Sequence, residues 1–215
     1  QTQFRFLSYF ARANYKFANK YLFSVSARSD GSSRFGENNR YGFFPAVSGG
    51  WVMTEESFLS DSRYVSFLKL RASYGLVGNS EIGNFPQLAL FGAAPYGGAG
   101  GQAPVQIGNP NLQWETSKQL DVGVDFGFFN NRLTGELDYY NRQSENLLLN
   151  VNIPSSTGFN SVVKNIGSLE NKGVELVLNG QILVGEFKWN ASFNIARNRG
   201  KVTDINGQVI EGGVS

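Results

Sequence analysis

Long segments of this chain alternate between apolar and polar residues with a period of two. In residues 120–128, Leu, Val and Phe hold the even positions, and Asp and Gly hold the odd ones. Successive side chains of a β-strand point to opposite faces, so this pattern predicts strands with one apolar and one polar face. An all-β, antiparallel fold is therefore expected. The alternating segments number eight and have their cores at 7–17, 21–28, 43–52, 68–76, 120–128, 132–140, 174–179 and 187–195.

The lengths of the segments and of their connections indicate a membrane barrel. The segment 7–17 exceeds the ~5–6 residues of an ordinary soluble strand and matches the ~9–11 residues of a strand that crosses a bilayer at a tilt. Short turns are expected at 18–20, 130–131 and 184–185, and they alternate with long links at 29–40, 78–113 and 146–167. Outer-membrane barrels have short periplasmic turns and longer extracellular loops. We therefore predict that the long links are extracellular.

The alternation by itself does not say which face meets lipid, since a half-buried soluble sheet shows the same pattern. Strand length, alternating loop lengths and aromatic residues near strand ends favour lipid on the apolar side and a polar lumen. A structural or adhesive β-protein and a small closed outer-membrane barrel remain alternatives. The charged residues assigned to the polar face are Arg12, Arg28, Lys69, Arg71, Asp121, Asp125, Glu136, Asp138, Glu175 and Lys188.

The composition excludes several classes of function. The chain has no His and no Cys, which removes metal sites built on those residues, Cys nucleophiles and Ser-His-Asp triads. The net charge is only +2, and the basic residues are scattered, so we expect no nucleic-acid partner. The chain is predicted not to be an enzyme and to use no cofactor or metal.

Six motifs resemble one family, the SusC/RagA family of TonB-linked outer-membrane transporters of Bacteroidota. They follow one another in the family's order and cover nearly the whole chain. The motifs are RSDGSSRFG at 28–36, NRYGFFPAVSGGW at 39–51, LKLRASYG at 68–75, NPNLQWET at 109–116, NIGSLENKGVEL at 165–176 and FNIARN at 193–198.

The resemblance implies a wall segment of a nutrient transporter in the cell outer membrane. Such barrels are of the 22-stranded type with a plugged lumen, and this chain is expected to supply about eight of the strands. Residues 1–215 are interpreted as part of one barrel domain, with the plug and N-terminal domains absent from the chain. The implied partners are outer-membrane lipid, a SusD-like surface lipoprotein, TonB through the missing plug region, and a glycan or peptide substrate.

Two aromatic residues in or beside the longest link are weak candidates for substrate contact. Tyr96 lies in the Gly-rich part of the link at 78–113, and Trp114 follows its end. Aromatic rings there are able to stack on a sugar or pack against a peptide. Loop packing or an interfacial aromatic girdle is the simpler interpretation of both.

Overall fold

The computed structural model describes residues 3–95 and 97–205, which form twelve β-strands and three short 3-10 turns. Eight long strands make the main sheet, and four short strands lie in two of the links. The long strands are β1 (Phe6–Phe17), β2 (Tyr21–Ser32), β3 (Tyr41–Val52), β4 (Val65–Asn79), β7 (Glu115–Phe128), β8 (Leu133–Glu145), β11 (Ser168–Val184) and β12 (Lys188–Asp204). The short strands are β5 (Leu90–Ala93), β6 (Gln102–Gln106), β9 (Leu148–Asn152) and β10 (Ser161–Asn165).

The eight long strands form a single antiparallel meander in the order β1-β2-β3-β4-β7-β8-β11-β12. The predicted all-β fold and the eight main strands are confirmed. Within the described residues, β1 and β12 are the two edges of the sheet and do not pair with each other. The alternative of a small closed eight-stranded barrel is therefore wrong, because closure requires the first and last strands to pair.

The connections differ in length between the two ends of the sheet, as predicted. At one end, β1 and β2 are joined by a tight turn in which Ala18 and Asn19 have φ values of 50° and 57°. Two successive positive φ angles are typical of a type I′ turn, whose twist matches that of paired strands. The 3-10 turn Met53–Glu55 lies at this end, in the link of intermediate length between β3 and β4.

The end of the sheet that carries the long links contains more β-structure than the sequence pattern predicts. The hairpins β5–β6 and β9–β10 occupy the links between β4 and β7 and between β8 and β11, and neither was predicted. The predicted link at 29–40 begins too early, because β2 continues to Ser32. Likewise β12 runs on to Asp204, well beyond the predicted core at 187–195.

The main sheet has two chemically different faces. On β7, Val124 lies opposite Leu70 and Leu137 on the neighbouring strands, whereas Asp125 lies opposite Lys69 and Glu136. We call the side that carries Val124 the apolar face and the side that carries Asp125 the polar face. In the described part of the chain, no helix is long and apolar enough to cross a membrane.

The apolar face is exposed along the whole sheet. Apolar side chains from edge to edge leave about half of their surface uncovered, among them Val25 at 57%, Leu137 at 43% and Phe193 at 55%. Monomeric soluble proteins rarely expose a continuous apolar surface of this extent. A lipid-facing wall accounts for it, because hydrocarbon covers the face that water would otherwise contact.

Candidate functional site

Arg71 is the centre of an ion-pair network on the polar face. Its Nε donates to Asp125 Oδ1 at 2.8 Å, and its Nη2 donates to Asp138 Oδ2 at 2.6 Å. Lys69 Nζ donates to the second oxygen of Asp125 at 3.0 Å, and Glu136 lies 3.8 Å from Arg71. The network joins β4, β7 and β8 across the face, so the wall presents a fixed pattern of both charge signs.

Gly123 allows the Arg71 guanidinium to reach Asp138. It lies directly opposite Arg71 on one side and Asp138 on the other, so the side chain of Arg71 crosses above it. A Cβ atom on Gly123 would lie 2.7 Å from Arg71 Cζ, closer than real contacts allow. The missing side chain is therefore part of the network's geometry, and it marks a close approach on the strand.

A hollow of about 460 Å³ lies beside this network on the polar face. Its size is within the range of small-ligand pockets, roughly 300–1,000 Å³. It combines cations, a carboxylate and hydroxyl groups with a larger apolar surface to which Tyr15, Leu22 and Phe23 contribute. Its polar lining includes Asn14, Lys16, Ser24, Ser48, Arg71 and Asp121.

The long links pack together at their end of the sheet around four buried residues, Phe35, Phe44, Leu112 and Trp114, which we call the end cap. Phe35 and Leu112 come from two different links, and they are 1% and 0% exposed. The Trp114 ring centroid lies 5.1 Å from that of Phe35 and 5.4 Å from that of Phe44. Such aromatic pairs stabilise a fold by more than the burial of their apolar surface alone provides.

Side-chain amides tie the links of the end cap to one another. Asn165 Nδ2 donates to Gln113 O at 2.7 Å, and its Oδ1 accepts from Gln113 N at 2.9 Å. Asn109 Nδ2 donates to Val163 O at 2.9 Å. Arg34 reaches Ser80 O at 3.1 Å. The loop backbone thus finds its hydrogen-bond partners in neighbouring links, which makes this end a single packed surface.

The two candidates for substrate contact have different outcomes. Tyr96 lies outside the described residues. Trp114 is 6% exposed, and its Nε1 donates to Arg40 O at 3.2 Å, so a substrate would reach the ring only after the links move. Its contact with a substrate stays a prediction, while the packing role is observed.

A second polar cluster lies at the short-turn end, around Glu56. Its carboxylate accepts from Lys20 Nζ and Tyr21 Oη, both at 2.8 Å, and from Trp51 Nε1 at 3.1 Å. These three hydrogen bonds, that of Lys20 first, lower the pKa of Glu56 from 4.5 to about 2. The cluster fastens the link after β3 to the β1–β2 turn.

Neither the Glu56 cluster nor the end cap was predicted from the sequence. Glu56 falls in a link without alternation, and the end cap depends on contacts between residues far apart in the chain. The only signals were the NPNLQWET motif and the aromatic residues near strand ends. In residues 3–95 and 97–205, no group of three or more Asp and Glu side chains is arranged to hold a metal ion.

An open antiparallel wall with an exposed apolar face, a charged opposite face and long links packed at one end defines a segment of an outer-membrane β-barrel. Comparison with known proteins then identifies the family. Residues 1–212 match the family described as "TonB dependent receptor-like, beta-barrel", and the chain belongs to it. This family consists of TonB-dependent transporters of the outer membrane.

Two relatives illustrate the match in sequence. The chain is 42% identical over 200 residues to TonB-dependent receptor P39 of Formosa agariphila, covering 92% of this chain and 19% of that protein. It is 41% identical over 211 residues to TonB-dependent receptor SusC of Bacteroides thetaiotaomicron, covering 94% and 21%. The chain therefore spans about a fifth of the length of these relatives.

Solved structures agree with the fold. The structure of the RagAB peptide transporter matches with a TM-score of 0.89 and 40% identity, over 94% of this chain and 22% of that chain. The siderophore receptor PirA from Pseudomonas aeruginosa matches with a TM-score of 0.59 at 14% identity, over 91% of this chain and 32% of that chain, which shows the fold alone. The predicted resemblance to the SusC/RagA family is confirmed, and the structural or adhesive alternative is wrong.

Proposed function

We propose that this chain is a segment of the barrel wall of a transporter that takes up a peptide or glycan across the outer membrane. The observation that carries the proposal is the two-faced sheet, in which the Arg71 network and the adjoining hollow line the side opposite the lipid. Fixed charges of both signs along a lumen bind a polar solute weakly at several positions, which suits passage better than tight retention. The sequence identity to SusC and to the RagAB peptide transporter supports the same function.

In this proposal the long links and their end cap form the extracellular mouth, and the short turns face the periplasm. A SusD-like lipoprotein covers the mouth, and TonB acts through a plug domain that belongs to the larger receptor. Residues 1–215 belong to one barrel domain. The segment itself performs no catalysis and uses no cofactor, consistent with the lack of His and Cys.

Deletion of the gene for the full-length receptor tests the proposal. We expect the mutant to lose uptake of one class of labelled nutrient, either peptides or oligosaccharides, and the complete gene to restore it. Dissipating the proton-motive force is expected to abolish the same uptake. Unchanged uptake of both classes in the deletion strain would refute the function, while the class that is lost decides between the two substrates.

A further inference from the structure

We propose that Arg28 anchors a carboxylate group of the transported solute just inside the extracellular mouth. This inference rests on the proposed function and names the chemistry that the lumen wall recognises. Arg28 lies on the polar face of β2, which is an interior strand paired with β1 on one side and β3 on the other. Both ladder neighbours of Arg28 are therefore part of the structure.

The guanidinium of Arg28 is held from one side only. Its Nε donates to both carboxylate oxygens of Asp30 at 2.7 Å, and its Nη2 makes a long contact of 3.4 Å with Ser8 Oγ. Within residues 3–95 and 97–205, Nη1 has no hydrogen-bond partner. A guanidinium carries five N–H donors in a planar fork. Asp30 thus fixes the orientation of the fork and leaves its outer edge, formed by the two Nη groups, for a ligand.

The two partners of this ion pair differ sharply in exposure. The side chain of Asp30 is 8% exposed, whereas that of Arg28 is 54% exposed. The end cap covers the Asp30 side, since Gly42 lies directly opposite Asp30 and a Cβ atom on Gly42 would lie 3.1 Å from Trp114 Cγ. The negative end of the pair is shielded beneath the end cap, and the positive end faces the lumen. An anion that approaches from the lumen therefore meets the guanidinium first.

The wall leaves room for a ligand beside Arg28. Phe10 and Phe44 lie directly opposite Arg28 on the two neighbouring strands, so the guanidinium emerges between two apolar side chains. The next row of the polar face, toward the short turns, consists of the small residues Ser26, Ala46 and Gly75. These three residues line a hollow of about 300 Å³. A solute whose anionic group contacts Arg28 is able to place its remaining atoms over this row.

The chemistry of the site selects a carboxylate as the anion. The two Nη groups match the two oxygens of a carboxylate, and such bidentate, charge-assisted pairs are stronger than neutral hydrogen bonds. Asp30 already balances part of the positive charge of Arg28, which favours a singly charged carboxylate over a doubly charged phosphate. Peptides carry this group at their C-terminus and on acidic side chains, and acidic glycans carry it on uronic acids. Both nutrient classes of the proposed function therefore include suitable ligands.

Calorimetric titration of the full-length receptor in phosphatidylcholine nanodiscs tests the assignment. The probes are penta-alanine and penta-alanine amide for peptides, and trigalacturonate and its methyl ester for glycans. We expect the free acid of one class to bind about thirtyfold more tightly than its neutral form, equivalent to about 2 kcal/mol. The acid that shows this preference identifies the source of the carboxylate.

Two substitutions of Arg28 separate binding from a purely structural role. R28Q is expected to bind the acid about thirtyfold more weakly and to lose the preference for it. R28K keeps a cation beside Asp30 and is expected to fold normally. Because all the donors of lysine are on one nitrogen, R28K has no outward edge and should bind the acid about as weakly as R28Q. Gel mobility without heating reports folding, and R28K alone decides if R28Q does not fold.

The matched control is K188Q, which removes a cation from the polar face at the short-turn end of β12. It is expected to keep both the affinity and the preference of the unmodified receptor. Unreduced affinity of R28K for the acid would overturn the proposal, as would equal or undetectable binding of the acid and neutral forms by the unmodified receptor. Either result leaves the proposed transport function standing, since that function is tested by uptake in the deletion strain.

Discussion

Replacing Gly123 by Ala is expected to break the contact between Arg71 and Asp138. The added Cβ would overlap Asp138 Oδ1 and lie 2.7 Å from Arg71 Cζ, so both side chains have to shift and the 2.6 Å hydrogen bond that Arg71 donates to Asp138 is disturbed. Hydrogen bonds to charged groups contribute about 1.5–3 kcal/mol. A strand interior gains about 0.5–1 kcal/mol when Gly becomes Ala. The free energy of unfolding should therefore fall by about 1–2 kcal/mol.

Equilibrium unfolding of the full-length receptor by urea in phosphocholine bilayers measures this change through tryptophan fluorescence. The matched control is Gly49→Ala, on β3, where the nearest atom to the added Cβ is Leu22 O at 4.0 Å. This control is expected to raise the free energy of unfolding by about 0.5–1 kcal/mol, the gain of Gly→Ala in a strand interior without the lost hydrogen bond.

A double-mutant cycle separates the lost hydrogen bond from other effects of the substitution at Gly123. In an Asp138→Ala background the hydrogen bond between Arg71 and Asp138 is already absent while that to Asp125 remains, so Gly123→Ala should change the free energy of unfolding there about as Gly49→Ala does. A coupling of about 1 kcal/mol or more between positions 123 and 138 is expected. Equal stability of the Gly123→Ala and Gly49→Ala variants would show that the network does not depend on Gly123. Additive effects of the substitutions at positions 123 and 138 on the free energy of unfolding would show the same.

Phe193→Arg is expected to cost about 2–4 kcal/mol of folding free energy in bilayers, whereas Asn194→Arg, on the opposite face, should cost little; equal penalties would contradict the two-faced wall. Glu56→Gln should destabilise the receptor most above pH 4.5, with the difference from the unmodified receptor closing as the pH falls toward 2. Because the pKa of Glu56 is lowered in the folded receptor, its carboxylate contributes to stability only while it is ionised, and this contribution is lost on protonation. A stability difference that stays constant over this pH range would refute the prediction. Gly100→Cys should react with an impermeant maleimide on intact cells and Gly185→Cys should not, which checks the proposed orientation; the reverse pattern would invert it.

The outcome for β12 shows where sequence patterning stops being informative. Between Trp189 and Ile195 one face meets lipid and the other meets the lumen, so hydrophobicity alternates and the strand was predicted. From Arg197 to Asp204 the apolar alternation is lost, with Val202 as the one large apolar side chain, yet the strand continues through its pairing with β11. The ladder is made of backbone hydrogen bonds, which need no hydrophobic pattern. The ends of strands outside the apolar band were therefore missed.

The end cap likewise shows what the sequence pattern cannot predict about the candidate functional site. The sequence placed Trp114 beside the longest link and suggested substrate contact, but its burial depends on Phe35 and Phe44, which arrive from other parts of the chain. Local patterns carry no information about such long-range contacts between links.

The sequence by itself determined the all-β class, the eight main strands, their two faces and the family, because each follows from local alternation or from contiguous motifs. The tertiary structure alone decided the register, and with it that Gly123 separates Arg71 from Asp138 and that Lys172 faces Arg199. A register is a relation between distant segments, set by turn geometry and by which faces are buried. For that reason the partners of the charged residues appeared only when the strands were paired.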